Sequence, residues 1–320
     1  MLGRRHFRVK VLQALYAFFQ GGEPRAEVAE KNLLQSIEKM EELFYLQISF
    51  QLEVIHFYTI RMEDAKHKFI PTEEELNPNI KLLRNRLYLL LRDNGYVTSS
   101  INRYRIFWNE EQEIVRKVYQ KLKASKELAE YLDSGNDSFR EDAEFMAKIF
   151  RKFIARSGDL RYYCEEKYLY WSDDYDMAAL FILKMLKSMD ENFPPSGSPA
   201  ELFHRENSEE AEDDRKFILD LFRLTVLHSE GYEKLIESRT RNWELERIAL
   251  TDIILLKMAL TELLHFSQIP VKVTLNEYIE ISKQFSSQKS KSFINGILDK
   301  LVADLTSENK IKKRGRGLMT

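Results

Sequence analysis

Residues 26–66 read AEVAEKNLLQSIEKMEELFYLQISFQLEVIHFYTIRMEDAK, and this stretch decides the fold. Leu33, Ile37, Met40, Phe44, Ile48, Leu52, Ile55, Tyr58 and Met62 recur every three or four positions. The mean step is that of a straight α-helix, longer than a coiled-coil seam requires. Neither glycine nor proline interrupts the run, so one long helix is predicted. The same economy holds over the whole chain of 320 residues, which has only 11 glycines and 7 prolines. Alternating α/β and all-β folds need a turn about every ten residues, and this chain cannot supply them.

Outward from this helix, the period predicts a first helix with an apolar stripe of Phe7, Val11, Ala14, Leu15 and Phe18. It ends at Gly21, Gly22 and Pro24. Further helices are predicted over about 78–94, 109–133, 139–157, 159–171 and 174–191. Phe193 to Pro199 holds three prolines and cannot continue a helix, and an acidic run follows it. Helices then resume over about 214–229, 231–241, 244–265, 275–285 and 291–305. Ser138 with Glu141 and Thr274 with Glu277 have capping-box spacing. Pro270 predicts an extended segment from Ile269 to Val273.

Composition excludes several classes of function. A single cysteine, Cys164, gives neither a disulfide framework nor a cysteine zinc site, and suits a reducing cytoplasm. No run of about 18 apolar residues predicts a membrane span. The six histidines are scattered, and no phosphate-cradling or dinucleotide-binding glycine motif occurs. Asp133 to Asp137 resembles a calcium loop but lacks its glycine and terminal glutamate. No catalytic residue, cofactor or metal site is expected. The aromatic stretch Tyr162 to Trp171 has acidic neighbours and suits core packing or a protein contact better than base stacking.

The formal charge of −2 conceals a segregation. Arg4, Arg5, Arg8 and Lys10 meet no acid in the first twenty residues. Lys310, Lys312, Lys313, Arg314 and Arg316 meet only Glu308 after residue 305. Basic ends on an acidic body allow an anion to bind near the ends, or are simply solvated.

Two blocks carry a family resemblance. The first is Arg5-His6-Phe7-Arg8 followed by Gln13-Ala14-Leu15-Tyr16. The second begins at Asn242-Trp243-Glu244-Leu245-Glu246-Arg247-Ile248 and passes through Asp252, Lys257-Met258-Ala259 and Glu262. It continues with Ile269-Pro270-Val271 and ends with Phe293-Ile294-Asn295-Gly296-Ile297-Leu298-Asp299-Lys300. In order and spacing the chain resembles the NusB family of bacterial transcription antitermination factors, in a long form.

The resemblance implies an all-α fold of NusB-like helical bundles with a large additional helical insertion. The expected division is a first helix over 1–20, the insertion over 21–192, a Pro/Ser/acidic linker over 193–212, a NusB-like region over 213–305 and a flexible basic tail over 306–320. It implies a non-enzymatic cytoplasmic factor in ribosomal RNA transcription and ribosome biogenesis. The implied partners are single-stranded boxA-like RNA, the ribosomal protein NusE and the RNA polymerase antitermination complex. RNA contacts are expected from Arg4, Arg5, Arg8, Lys10, Arg239, Arg241, Lys289 and Lys291, and NusE contacts from Glu246 and Asp252. Gly296, inside a helix, is expected to mark a close helix–helix approach. Two alternatives remain: an interaction scaffold that has lost RNA binding, and a module related to the N-terminal domains of RNA methyltransferases.

Overall fold

The computed structural model describes residues 3–21, 25–168, 171–195, 197–198, 209–240, 248–287 and 289–318, without the side chains of 172 and 316. Among these residues all regular structure is helical. The chain forms two compact units, residues 1–36 with 203–320 and residues 37–202.

The first unit is built around α13 (Leu250–His265). Ile254, Leu255, Leu256, Met258, Ala259 and Leu260 are all fully buried. A helix apolar on every side must be surrounded, and here α1 (Arg4–Gly21), α11 (Glu209–Leu227), α12 (Ser229–Glu237), α14 (Val271–Phe285) and α15 (Ser290–Ser307) all pack against it. Phe7, Val11, Leu12 and Leu15 of α1 are buried in this unit. Tyr16 is turned outward.

Three expectations fail in this unit. Ile269 to Val273 is not extended throughout: Pro270 is, but α14 begins directly after it at Val271. Proline suits a helix start, where its missing N–H leaves no bond unmade. Thr274 and Glu277 therefore lie inside the helix and form no capping box. Gly296 is not a point of close approach, since a Cβ there would meet nothing within 4 Å.

The C-terminal segment is also not a free tail through residue 318. Lys313 Nζ donates to the carbonyls of Glu262 (3.1 Å) and Phe266 (3.0 Å), at the negative end of the α13 dipole. Arg314 N donates to Ser267 O at 2.9 Å. Gly317 passes so close that a Cβ would lie 2.0 Å from Ser267 O, which only glycine allows.

The second unit has α2 (Ala26–Lys66) as its spine; Ala26–Ser36 belong to the first unit. The predicted stripe understates its burial, for the polar Gln51 within it, Gln47 at its edge and Ser49 on the opposite face are buried as well. Gln47 donates to Tyr175 O (3.1 Å), Gln51 to Met146 O (2.9 Å), and Trp108 Nε1 to Ser49 Oγ (3.1 Å). These bonds let polar side chains of the spine sit in the core. The spans predicted as single helices break where caps intervene. Asn85 starts α4 (Arg86–Arg92) and Ser125 separates α6 (Gln112–Lys123) from α7 (Lys126–Asp133). Ser138 caps α8 (Phe139–Ile149), whose end runs into a π-helical turn, Phe150–Ile154.

Among the described residues of the aromatic stretch Trp171 is core, Tyr163 and Tyr168 are half-buried, and Tyr162 is exposed. Trp171, which opens α10 (Trp171–Ser188), is fully buried and donates to Lys39 O at 2.8 Å. In α9 (Gly158–Lys167) Cys164 is buried, and burial pushes its thiol up to about 12, so it stays protonated and unreactive.

Candidate nucleic-acid interface

Period arithmetic places Arg4, Arg5 and Arg8 near one another on α1, and the structure separates their roles. Arg8 is 2% exposed. Its Nε and Nη2 donate to the two carboxylate oxygens of Glu262, each at 2.8 Å. Thr274 Oγ1 (2.7 Å) and Tyr278 OH (3.3 Å) also donate to Glu262, and Glu277 lies 3.7 Å from Arg8 Nη1. Burial works to lower the Arg8 guanidinium, and the Glu262 carboxylate outweighs it, so the group is held above its ordinary value. Arg8 is therefore corrected from an RNA contact to the cation of a buried pair.

Lys10 is likewise buried, at 5% exposure, and its ammonium is not presented to a ligand. Arg4 and Arg5 do face outward. Arg4 lies 5.1 Å over the Phe217 ring, and Arg5 makes a bidentate pair with Glu277 at 2.8 and 2.7 Å. Burial works to raise the Glu277 carboxyl, but Arg5 and Arg8 together hold it below its usual range.

Lys291 joins this side of the unit. The Glu280 carboxyl is held low first by its hydrogen bond from Lys283, then by Arg5 and Lys291, so all three cations share one field. The face thus presents Arg5, Lys283 and Lys291 around the carboxylates of Glu277 and Glu280, and Arg4 is exposed on the same helix as Arg5. Lys283 escaped the sequence reading, although it follows Glu280 at helical spacing.

Arg239, Lys289 and Asp252 come together elsewhere, in a cleft of about 1070 Å³ that Phe293, Gly296 and Lys300 also line. Arg239 pairs with Asp304. Asp252 is corrected as a partner contact, being only 4% exposed. Its carboxylate accepts from Ser286 Oγ, which in turn accepts from Ser290 Oγ at 2.9 Å, fixing the turn that carries Lys289. Arg241 and Glu246 lie outside the described residues.

One titrating element sits beside α13. The rings of His228 and His265 stack at 4.9 Å, and His265 Nε2 meets Tyr232 OH at 3.1 Å. Burial first, and His228 second, hold His265 below the ordinary imidazole value. A depressed value means that the unfolded chain takes up the proton more readily. The associated stability is present above the ordinary value and drains as pH falls through the folded one. Lowering the pH from about 7 to about 5 is expected to lower the urea midpoint. In His228→Gln this loss should be smaller, and an identical loss in the variant would refute the coupling.

Among the described residues no group of His, Cys, Asp or Glu could hold a metal ion, and no helix is long and apolar enough to cross a membrane. No solved structure matches the chain.

The sequence relatives are informative. A model of the NusB family matches residues 176–303, beginning within α10 and ending within α15. The transcription antitermination protein NusB of Salinibacter ruber is 37% identical over 139 residues, covering 42% of this chain and 87% of the relative. Its namesake from Koribacter versatilis is 37% identical over 130 residues, covering 41% and 89%. That of Chloroherpeton thalassium is 36% identical over 105 residues, covering 33% and 50%. Nearly the whole length of the first two relatives is thus matched by less than half of this chain, and on that match the chain belongs to the NusB family.

Proposed function

We propose that this chain is a non-enzymatic, RNA-binding transcription antitermination factor. It acts in the cytoplasm with the ribosomal protein NusE on boxA-type RNA during ribosomal RNA transcription and ribosome biogenesis, within the RNA polymerase antitermination complex. The observation that carries this reading is the NusB-family match over residues 176–303, most of it in the first unit, with relatives that bear the antitermination name. The outward-facing cations supply suitable chemistry. Guanidinium groups pair with phosphate in bidentate fashion and stack on unpaired bases. Arg4, Arg5 and Lys291 are the proposed RNA contacts at the α1 face, with Lys289, Arg239 and Arg241 beside the cleft. Glu246 is the remaining proposed contact to NusE.

Fluorescence anisotropy with boxA-like and scrambled RNA, with and without NusE, tests the proposal over a salt series. Preference for boxA is expected, strengthened by NusE. Arg4→Ala with Arg5→Ala should weaken binding and flatten the salt slope by about 1.4, two phosphate contacts at about 0.7 each on a single strand. Equal binding of both RNAs in the presence of NusE would favour an interaction scaffold instead.

A further inference from the structure

The second unit carries a charged face that the family relationship leaves unassigned. From Ile114 to Lys126 the sequence has five cations and no carboxylate, and from Lys148 to Arg156 it has four cations and again none. The fold brings these stretches together, because α6 packs against the π-helical turn Phe150–Ile154. Two cross-element pairs tie their edges: Lys117 reaches Asp159 at 3.5 Å and Lys152 reaches Glu127 at 2.6 Å.

On α6 the buried positions are Val115, Val118, Tyr119 and Leu122. Arg116, Lys121 and Lys123 are therefore carried on the exposed side. Arg156 stands exposed in the turn beyond the π-helical segment. Among the described residues these four cations have no ion pair, nor has Arg151 beside them; Arg84 and Arg105 of the same unit are also without one, whereas Arg61, Arg86, Arg92, Arg103, Arg140 and Arg161 are paired. The local carboxylates Glu113, Glu127, Glu130 and Asp159 are already engaged by lysines. What remains is net positive charge with no apolar side chain on the outer face of α6. Such a face suits a polyanion rather than insertion into lipid.

We propose that this face of α6 and the 151–156 turn bind the phosphate backbone of single-stranded RNA, without sequence preference, as a second contact surface. The choice of RNA as the polyanion rests on the proposed function of the first unit, while the charge geometry stands independently. Backbone contacts of this kind lengthen the bound footprint and release counterions, so they are read as affinity that grows with RNA length and falls steeply with salt.

The test uses the full chain and two probes. One is a boxA-like RNA of about 12 nucleotides, and the other is the same RNA extended by about 30 uridines. One variant carries Arg116→Gln, Lys121→Gln, Lys123→Gln and Arg156→Gln. A control of equal charge carries Arg61→Gln, Lys66→Gln, Lys68→Gln and Arg84→Gln. The extension is expected to tighten binding at least tenfold at low salt, with a slope steeper by about 3. The first variant should lose this gain and keep its affinity for the short RNA, while the control keeps both. The same gain in the first variant, or no gain from the extension in the unaltered chain, would overturn the proposal. Equal competition by polyglutamate of matched charge would overturn RNA as the ligand. The uridine extension reports on this face even if boxA and scrambled sequences bind alike, so the two proposals fail separately.

Discussion

Replacing Arg8 with alanine is expected to destabilise the first unit by about 3–5 kcal/mol, the cost of leaving one charge of a buried pair without its partner. The Glu262 side chain is fully buried, and without Arg8 its two oxygens keep only the hydroxyls of Thr274 and Tyr278 as side-chain donors. Chemical unfolding followed by circular dichroism should show the loss in the transition of the first unit. Arg8→Met combined with Glu262→Leu should recover much of it, because apolar groups of similar volume can replace a buried pair at little net cost. A loss below about 1 kcal/mol in the single variant would place the pair in the class of solvated surface bridges. The result also bears on RNA measurements: weakened binding in an Arg8 variant would report lost structure rather than a lost contact. For that reason Arg4 and Arg5 are the informative pair.

Trp171→Ala should cost the second unit about 3–5 kcal/mol, as expected for a large aromatic removed from a packed core. The ring meets Tyr168 edge-on at 4.6 Å, and Lys39, whose carbonyl accepts from the indole, places its ammonium 3.8 Å over Tyr168. One side chain thus joins the start of α10 to the spine helix. Trp171→Phe should lose less, keeping most of the apolar area and giving up the hydrogen bond. Thermal unfolding of both variants gives the comparison, and a near-neutral alanine variant would show that the site can collapse around the void.

The helical architecture was readable because apolar spacing reports directly on which face must leave water. The spine helix shows the limit of that rule. Period identified one stripe of α2, yet it could not show that the polar Gln51 within that stripe and Gln47 at its edge are buried through carbonyls of residues 95 and 128 positions away. Partners so distant leave no local mark. Arg8 was misplaced for a related reason, since Glu262 lies 254 residues along the chain. Two local signs were nevertheless present. Arg8 stands four and seven positions before Leu12 and Leu15, in line with the buried stripe of α1. Glu262 stands in a mostly apolar run, broken otherwise by Lys257 and Thr261, where an unpaired carboxylate would be too costly to bury. Pro270 misled because proline signals a break without saying on which side the helix lies.

The arrangement of ends in the first unit also dictates an order of assembly. Helix α13 is sealed by α1 from the start of the chain and by Lys313 and Gly317 from its far end. During synthesis α1 emerges with Phe7, Val11 and Leu15 uncovered, and the helices that bury them are made some two hundred residues later. Every residue of the second unit is translated within that interval. Domains fold as units while the chain is being made. The second unit can therefore finish first, and the first closes only when the ribosome has released the segment that clasps α13. Slowed translation between residues 203 and 318 would prolong the exposure of α1 and leave the second unit untouched.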